Sequence, residues 1–249
     1  MTRIIAIASG KGGVGKTTIT ANLAAALTRM RRSVIAIDGN LGTANLGMHL
    51  GIPLYPITLH DVLRKDFHAR DALYKHRDGF RVIPADISLR KFIDVKTHHF
   101  MDVFYKFVGD AEYVLIDCPP GVGREARAVI EACDELLTIT NPEMTALTDA
   151  VKIEAVAADV GTRNIGVVIN RVNRHRHEVN LDVATRFLGM HVIGKIHEDN
   201  HMTRATAYRR TVVTHKPNAR SSRQLMELAS LLTGNPIPKK RFSLFSKLR

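Results

Sequence analysis

Ten consecutive residues, Ser9-Gly10-Lys11-Gly12-Gly13-Val14-Gly15-Lys16-Thr17-Thr18, carry the most specific chemistry in this chain of 249 residues. The run from Gly10 to Gly15-Lys16-Thr17 fits the pattern G-x-x-x-x-G-K-[ST] in full. Glycines let successive backbone N–H groups turn inward and form a nest for anions at a helix N-terminus. A side chain at Gly12, Gly13 or Gly15 would crowd that nest. In such a loop the lysine, here Lys16, reaches the β- and γ-phosphates of a nucleotide, and the hydroxyl of Thr17 ligates Mg²⁺.

Two carboxylates have matching positions. Glu112-Tyr113-Val114-Leu115-Ile116 is an apolar run that ends in Asp117, and Ser33-Val34-Ile35-Ala36-Ile37 ends in Asp38. Both runs read as buried strands, and ligands of open parallel sheets sit at the C-terminal strand ends. An apolar strand ending in aspartate describes Walker B, whose carboxylate holds Mg²⁺ through water. Behind Asp117 follow Cys118-Pro119-Pro120-Gly121-Val122-Gly123, where Gly121 can offer an N–H to a γ-phosphate and Gly121 and Gly123 permit movement.

The second lysine, Lys11, directly after the first glycine, makes the loop resemble the deviant Walker A motif of the MinD/ParA family of ATPases. The resemblance runs from about residue 3 to residue 233. The segments Arg124-Glu125-Ala126, Thr140-Asn141-Pro142-Glu143 and Leu147-Thr148-Asp149-Ala150 are most similar to the archaeal type of MinD. It implies ATP and Mg²⁺ as ligands, with Gly10 to Thr18 on the nucleotide and Thr17 and Asp117 on the metal. It implies a homodimer with nucleotide sandwiched at the interface, in which Lys11 contacts the partner's nucleotide. It also implies that Asn170 reads adenine and that backbone groups near Glu198 line the purine, although His197 stands where the family has proline. Asp38-Gly39-Asn40 resembles the family's Asp-x-Asp at the start of switch I. Asn40 replaces the aspartate that polarises the attacking water. An amide can hydrogen-bond water but cannot take its proton. With Lys11, Lys16, Asp38 and Asn40 as the catalytic set, slow hydrolysis is expected; the alternative is a neutral change in an active site. Cysteine in nitrogenase-iron-protein relatives falls where this chain has Arg124, so Cys118 reads as a packed residue.

These residues need a scaffold of alternating strands and helices. Apolar Ile4 to Ala8 predicts the strand before the loop, and Ile19 to Met30 predicts an amphipathic helix after it. Further strands are expected at Phe80–Ala85, Asp134–Thr140, Gly166–Val172 and His191–Ile196. Helices are expected near Leu59–Arg64, over Phe92–Val108, up to about Asp159, over Val179–Leu188, from Thr203 and over Asn218–Leu232. Residues 52–78 read as surface helices flanking the sheet. The expected fold is a single α/β P-loop domain over residues 1–235, with a mostly parallel twisted sheet and helices on both faces.

The net charge of +12 points to an anionic partner. Two cysteines without a C-x-x-C pair argue against a disulfide or zinc framework and fit a reducing cytoplasm. No apolar run approaches the roughly 20 residues that span a bilayer, and the first residues read as a strand and not as a signal peptide. Residues 236–249 form a basic tail. At about 100° per residue, Phe242, Leu244, Phe245 and Leu248 share an arc of roughly 160° opposite Lys239, Lys240 and Lys247. That pattern suits an interfacial helix on an acidic membrane, and it resembles the MinD membrane-targeting sequence. The alternatives are a disordered basic tail or a helix packed on its own body. The expected location is therefore cytoplasmic, peripheral to the inner face of the cell membrane. An ATPase-activating protein is a further expected partner. Two other readings stay open: a ParA-like DNA-binding ATPase using Arg204, Arg209, Arg210, Lys216, Arg220 and Arg223, and an ATP-binding scaffold with little hydrolysis.

Overall fold

A computed structural model describes residues 1–52, 55–88, 99–173 and 178–237. Its framework is an eight-stranded sheet: β1 (Arg3–Ala8), β2 (Val34–Asp38), β3 (Tyr74–Lys75), β4 (Arg81–Ile83), β5 (Tyr113–Asp117), β6 (Glu135–Thr140), β7 (Arg163–Val172) and β8 (Val192–His197). The strand order is β3-β4-β2-β5-β1-β6-β7-β8. All neighbours pair in parallel except β3 and β4. Parallel strands are buried on both faces, which explains the unbroken apolar runs.

Alternation along β1 divides the core. Ile5 and Ile7 point to the face covered by α1 (Lys16–Arg29) and, late in the chain, by α9 (Val212–His215) and α10 (Arg220–Thr233). Ile4, Ala6 and Ala8 point to the other face. There α3 (Leu59–Leu63), α4 (Phe100–Phe104), α5 (Arg124–Glu131) and α6 (Met144–Val160) pack. Short α2 (Leu46–His49) follows β2, α7 (Leu181–Leu188) leans on α6 and β7, and α8 (Asn200–Ala207) follows β8.

Three expectations change. Helix α1 begins at Lys16, not Ile19, because Gly15 turns in the left-handed region and directs the next residues straight into a helical turn. Residues 52–78 are not a set of surface helices. Leu59 and Leu63 of α3 are fully buried, and Tyr74–Lys75 adds an antiparallel edge strand to β4. Of the helix expected over Phe92–Val108, Phe100–Phe104 is α-helical and Tyr105–Phe107 is a 3₁₀ turn, with Phe100, Phe104 and Phe107 fully buried. Phe92 and Val95 lie outside the described residues, as does the tail with Phe242, Leu244, Phe245 and Leu248. Among the described residues no helix is long and apolar enough to cross a membrane.

Candidate functional site

Strand β1 sits at the centre of the sheet and delivers the glycine-rich loop to its C-terminal edge. Two glycines there are required by their surroundings. Gly15 has φ 99°, and a Cβ on it would strike the amide nitrogen of Asn170. A Cβ on Gly10 would fall on the carbonyl oxygen of Asp149 in α6. A Cβ on Gly12 would meet only Pro120 at 3.9 Å, and one on Gly13 would meet nothing within 4 Å, so no neighbouring atom excludes a side chain at either. Val14 is buried, and Thr18 sits one residue into the helix beyond Thr17.

The two residues expected to hold Mg²⁺, Thr17 and Asp117, lie together. Thr17 Oγ1 donates to Asp117 Oδ2 at 2.6 Å, and Thr20 Oγ1 reaches Asp117 Oδ1 at 3.4 Å. Burial pushes the Asp117 carboxyl up to about 6, against the Thr17 hydrogen bond and the Lys16 charge, which pull it down. Burial likewise lowers Lys16, which is 7 % exposed, against the attraction of Asp117. A hydroxyl and a carboxylate side by side are hard oxygen donors, the set that Mg²⁺ takes alongside substrate phosphates. The residues therefore fit the metal. Thr20 is a member of this group that sequence reading missed, although its i+3 spacing from Thr17 places both on one helix face.

Asp38 is fully buried and neighbours Asp117. It accepts hydrogen bonds from the backbone N–H groups of Asn40 (3.3 Å), Asn45 (3.0 Å) and Leu46 (2.9 Å). Burial first, then the Asp117 charge, hold its carboxyl well above the usual range. Its observed work is thus to shape the loop after β2. Asn40 does the same: its Oδ1 accepts from Thr43 N (3.2 Å) and Thr43 Oγ1 (3.1 Å), an Asx-type turn that aspartate would also make. Glu125 at the start of α5 accepts from Leu41 N at 2.8 Å; burial raises its carboxyl, while that bond and the neighbouring Gly42 backbone favour its charged form. Residues 40, 41, 43, 45 and 46 therefore all give their backbone N–H to one of three side chains. Sequence reading missed Glu125, whose contact spans 84 residues.

Other expected contacts are engaged within the chain. The Gly121 N–H donates to the Ser9 carbonyl at 3.0 Å, so here it is turned to the loop and not offered outward. Lys11 Nζ lies 2.8 Å from Glu143 Oε2 and 3.5 Å from Thr145 Oγ1 of the same chain. Asn170 Nδ2 donates to the Val14 carbonyl at 2.7 Å, which ties β7 to the loop. Asn170 and Glu198 both line a cleft of about 400 Å³, together with Gly15, Thr18, His49 and Arg171. Cys118 is buried, and burial pushes its thiol up. A larger groove of about 1200 Å³, lined by Phe67, His68, Arg70 and Tyr105, lies at the opposite sheet edge. Tyr105 marks that edge by bonding Asp134, just before β6 begins.

Residues 5–212 match the model of the CobQ/CobB/MinD/ParA nucleotide binding domain. An uncharacterized ATP-binding protein of Methanocaldococcus jannaschii is 38% identical over 247 residues, covering 98% of this chain and 94% of the relative. The septum site-determining protein MinD from Pyrococcus horikoshii, solved with Mg-ADP, superposes with a TM-score of 0.90 at 34% identity, over 93% of this chain and 96% of that one. The cell division ATPase MinD of Pyrococcus furiosus gives 0.91 at 33% identity, over 94% and 99%.

Proposed function

We propose, because this chain belongs to the CobQ/CobB/MinD/ParA nucleotide-binding family, that it is an ATP-driven switch that works as a dimer at a membrane surface. One observation carries the reading: the Thr17 hydroxyl and the Asp117 carboxylate, from α1 and β5, meet at 2.6 Å beside buried Lys16.

Lys16 and the N–H groups of residues 10–18 bind the phosphates, and Thr17 and Asp117 hold Mg²⁺. The metal, when bound, neutralises charge on the β- and γ-phosphate oxygens. Lys11 leaves Glu143 and reaches the nucleotide of a second copy. Asn40 faces the attacking water and leaves it without a carboxylate base, so the ATP state is long-lived. Glu198 and Asn170 border the base. The tail after residue 236 lies on acidic lipid at the inner face of the cell membrane. A protein partner that stimulates hydrolysis resets the switch, and the assembly organises cell division or another cellular structure in space.

The test is mass measurement by light scattering after gel filtration. ATP with Mg²⁺ should give a dimer, while ADP or no nucleotide should give a monomer. A monomer in every nucleotide state removes the reading.

One observation favours a second reading, binding to nucleic-acid phosphates. Arg204, Arg209, Arg210, Lys216, Arg220 and Arg223 are all exposed, and none pairs with a described carboxylate. Binding to mixed-sequence DNA that falls steeply with salt would support it.

A further inference from the structure

The loop after β2 owes its shape to three acceptors. Asp38 and Asn40 belong to the loop itself. Glu125 does not: it stands in the first turn of α5, immediately behind the Gly121–Gly123 segment that follows Asp117. Its carboxylate accepts from Leu41 N at 2.8 Å, with the Gly42 backbone beside it. These two residues come directly after Asn40.

The same loop is seated from behind. A Cβ on Gly39 would press on Ile116 and on the carbonyl of Asp117, and the Gly39 N–H already donates to that carbonyl at 2.9 Å. Val129, one helical turn after Glu125 on α5, lies 3.5 Å from where that Cβ would sit. Helix α5 therefore meets the loop twice, through Val129 packing at Gly39 and through Glu125 at Leu41 and Gly42. Asn40 lies between the two contacts. A hydrogen bond to a charged acceptor fixes a backbone group more tightly than a neutral one.

We propose that Glu125 is a positioning residue that locks the loop after β2 to the segment after β5 (residues 118–123) and holds the Asn40 side chain in place for the attacking water. This rests on the ATPase reading. Any displacement of residues 121–123 carries Glu125 with it, and Glu125 carries Leu41 and Gly42. The lock thereby transmits the state of one phosphate-facing segment to the other. Glu125 touches no reacting atom in this scheme and acts through Asn40.

Two variants separate a lock from a general structural role. Glu125→Ala removes both acceptors. Glu125→Gln keeps a carbonyl oxygen for Leu41. Steady-state hydrolysis by Glu125→Ala should show kcat lowered about tenfold or more, from the loss of a charged-acceptor hydrogen bond at the site. KM for ATP should stay within about twofold, because the residue does not touch nucleotide. Glu125→Gln should recover most of kcat. Amide hydrogen exchange on the full chain supplies a second readout. The N–H groups of Leu41 and Gly42 should lose protection in Glu125→Ala while Ala128 to Ile130 in α5 keep theirs. Unchanged protection at 41 and 42, or unchanged kcat, overturns the lock. If the unaltered protein hydrolyses no ATP, the ATPase reading fails, and the exchange data still decide whether Glu125 holds the loop.

Discussion

Asp38 and Asp117 stand on the same rung of the sheet, as register partners at the ends of β2 and β5. Adjacent strands are about 4.8 Å apart, and both side chains are buried, so two carboxylates share one dry pocket. The Asp117 charge raises the proton affinity of Asp38, which burial has already increased. The Lys16 charge pulls the Asp117 carboxyl back down and so offsets part of the burial.

That relationship sets a pH dependence. In the unfolded chain Asp117 titrates near 3.8, and in the fold near 6. A folded value above the unfolded one means that the folded state keeps a proton the unfolded chain has lost. The contribution to stability is full below about pH 4 and is lost as pH rises through about 6. Asp38 shifts in the same direction. Denaturant midpoints of the nucleotide-free protein between pH 4.5 and 7.5 should fall more steeply than those of Asp117→Asn. Parallel curves for the two proteins would show that this carboxyl does not titrate as described. Metal-nucleotide affinity should move the other way, strengthening as pH rises through about 6, because a metal ligand must give up its proton.

Asn40→Asp should raise turnover. The turn at Thr43 needs only an oxygen at position 40, and aspartate supplies it. The change therefore adds a proton acceptor with little rearrangement. General base catalysis contributes about 10²–10⁴-fold where it operates, so at least a tenfold rise in steady-state ATP hydrolysis is expected. Equal turnover of the two proteins would mean that Asn40 does not limit the rate.

Legibility follows the range of the interaction. The phosphate cradle and Asp117 can be read from sequence because each is a local run: strand, glycines, lysine and threonine, or strand and aspartate. The strands can be read because parallel pairing buries both faces. The start of α1 cannot, since Lys16-Thr17-Thr18 is polar and looks like loop until Gly15 fixes the turn. Tyr74–Lys75 is too short to show a period. Glu125, Asp149 against Gly10, and Gly121 on Ser9 all depend on approaches between segments distant in sequence. Lys11 is the mixed case: its identity is a local signal, but only the fold shows that Glu143 holds it in a single chain.

Lys11→Ala should bind ATP as a monomer with affinity within about threefold, yet fail to dimerise. The pair Lys11–Glu143 is exposed on both sides. Exposed ion pairs contribute about 0–1 kcal/mol, so the side chain leaves Glu143 at small cost and its removal should barely change stability. Equilibrium binding of a fluorescent ATP analogue and light scattering with ATP report the two halves. A Lys11→Ala protein that still dimerises with ATP would contradict a role across the interface.

The tail provides a test of the proposed membrane switch. Five cations, Lys239, Lys240, Arg241, Lys247 and Arg249, flank Phe242, Leu244, Phe245 and Leu248. Each cation near an anionic surface contributes about 1 kcal/mol. One tail should therefore bind weakly. Under the proposed dimer, two tails would bind as a linked pair, for which avidity gains of about 10²–10⁴ are ordinary. ATP would then control membrane attachment without touching the tail. Cosedimentation with anionic liposomes tests this for the full chain and for one ending at Pro238, each with ATP, ADP or no nucleotide. Pelleting should need ATP, anionic lipid and the tail together. Lys11→Ala should pellet no better than the ADP state, because it cannot bring two tails together. If the full chain pellets equally well with ADP, the tail binds as a single copy and the nucleotide does not gate it. If it pellets in no state while the dimer forms normally, the exposed cations of α8 and α10 become the surface to test, with DNA in place of lipid.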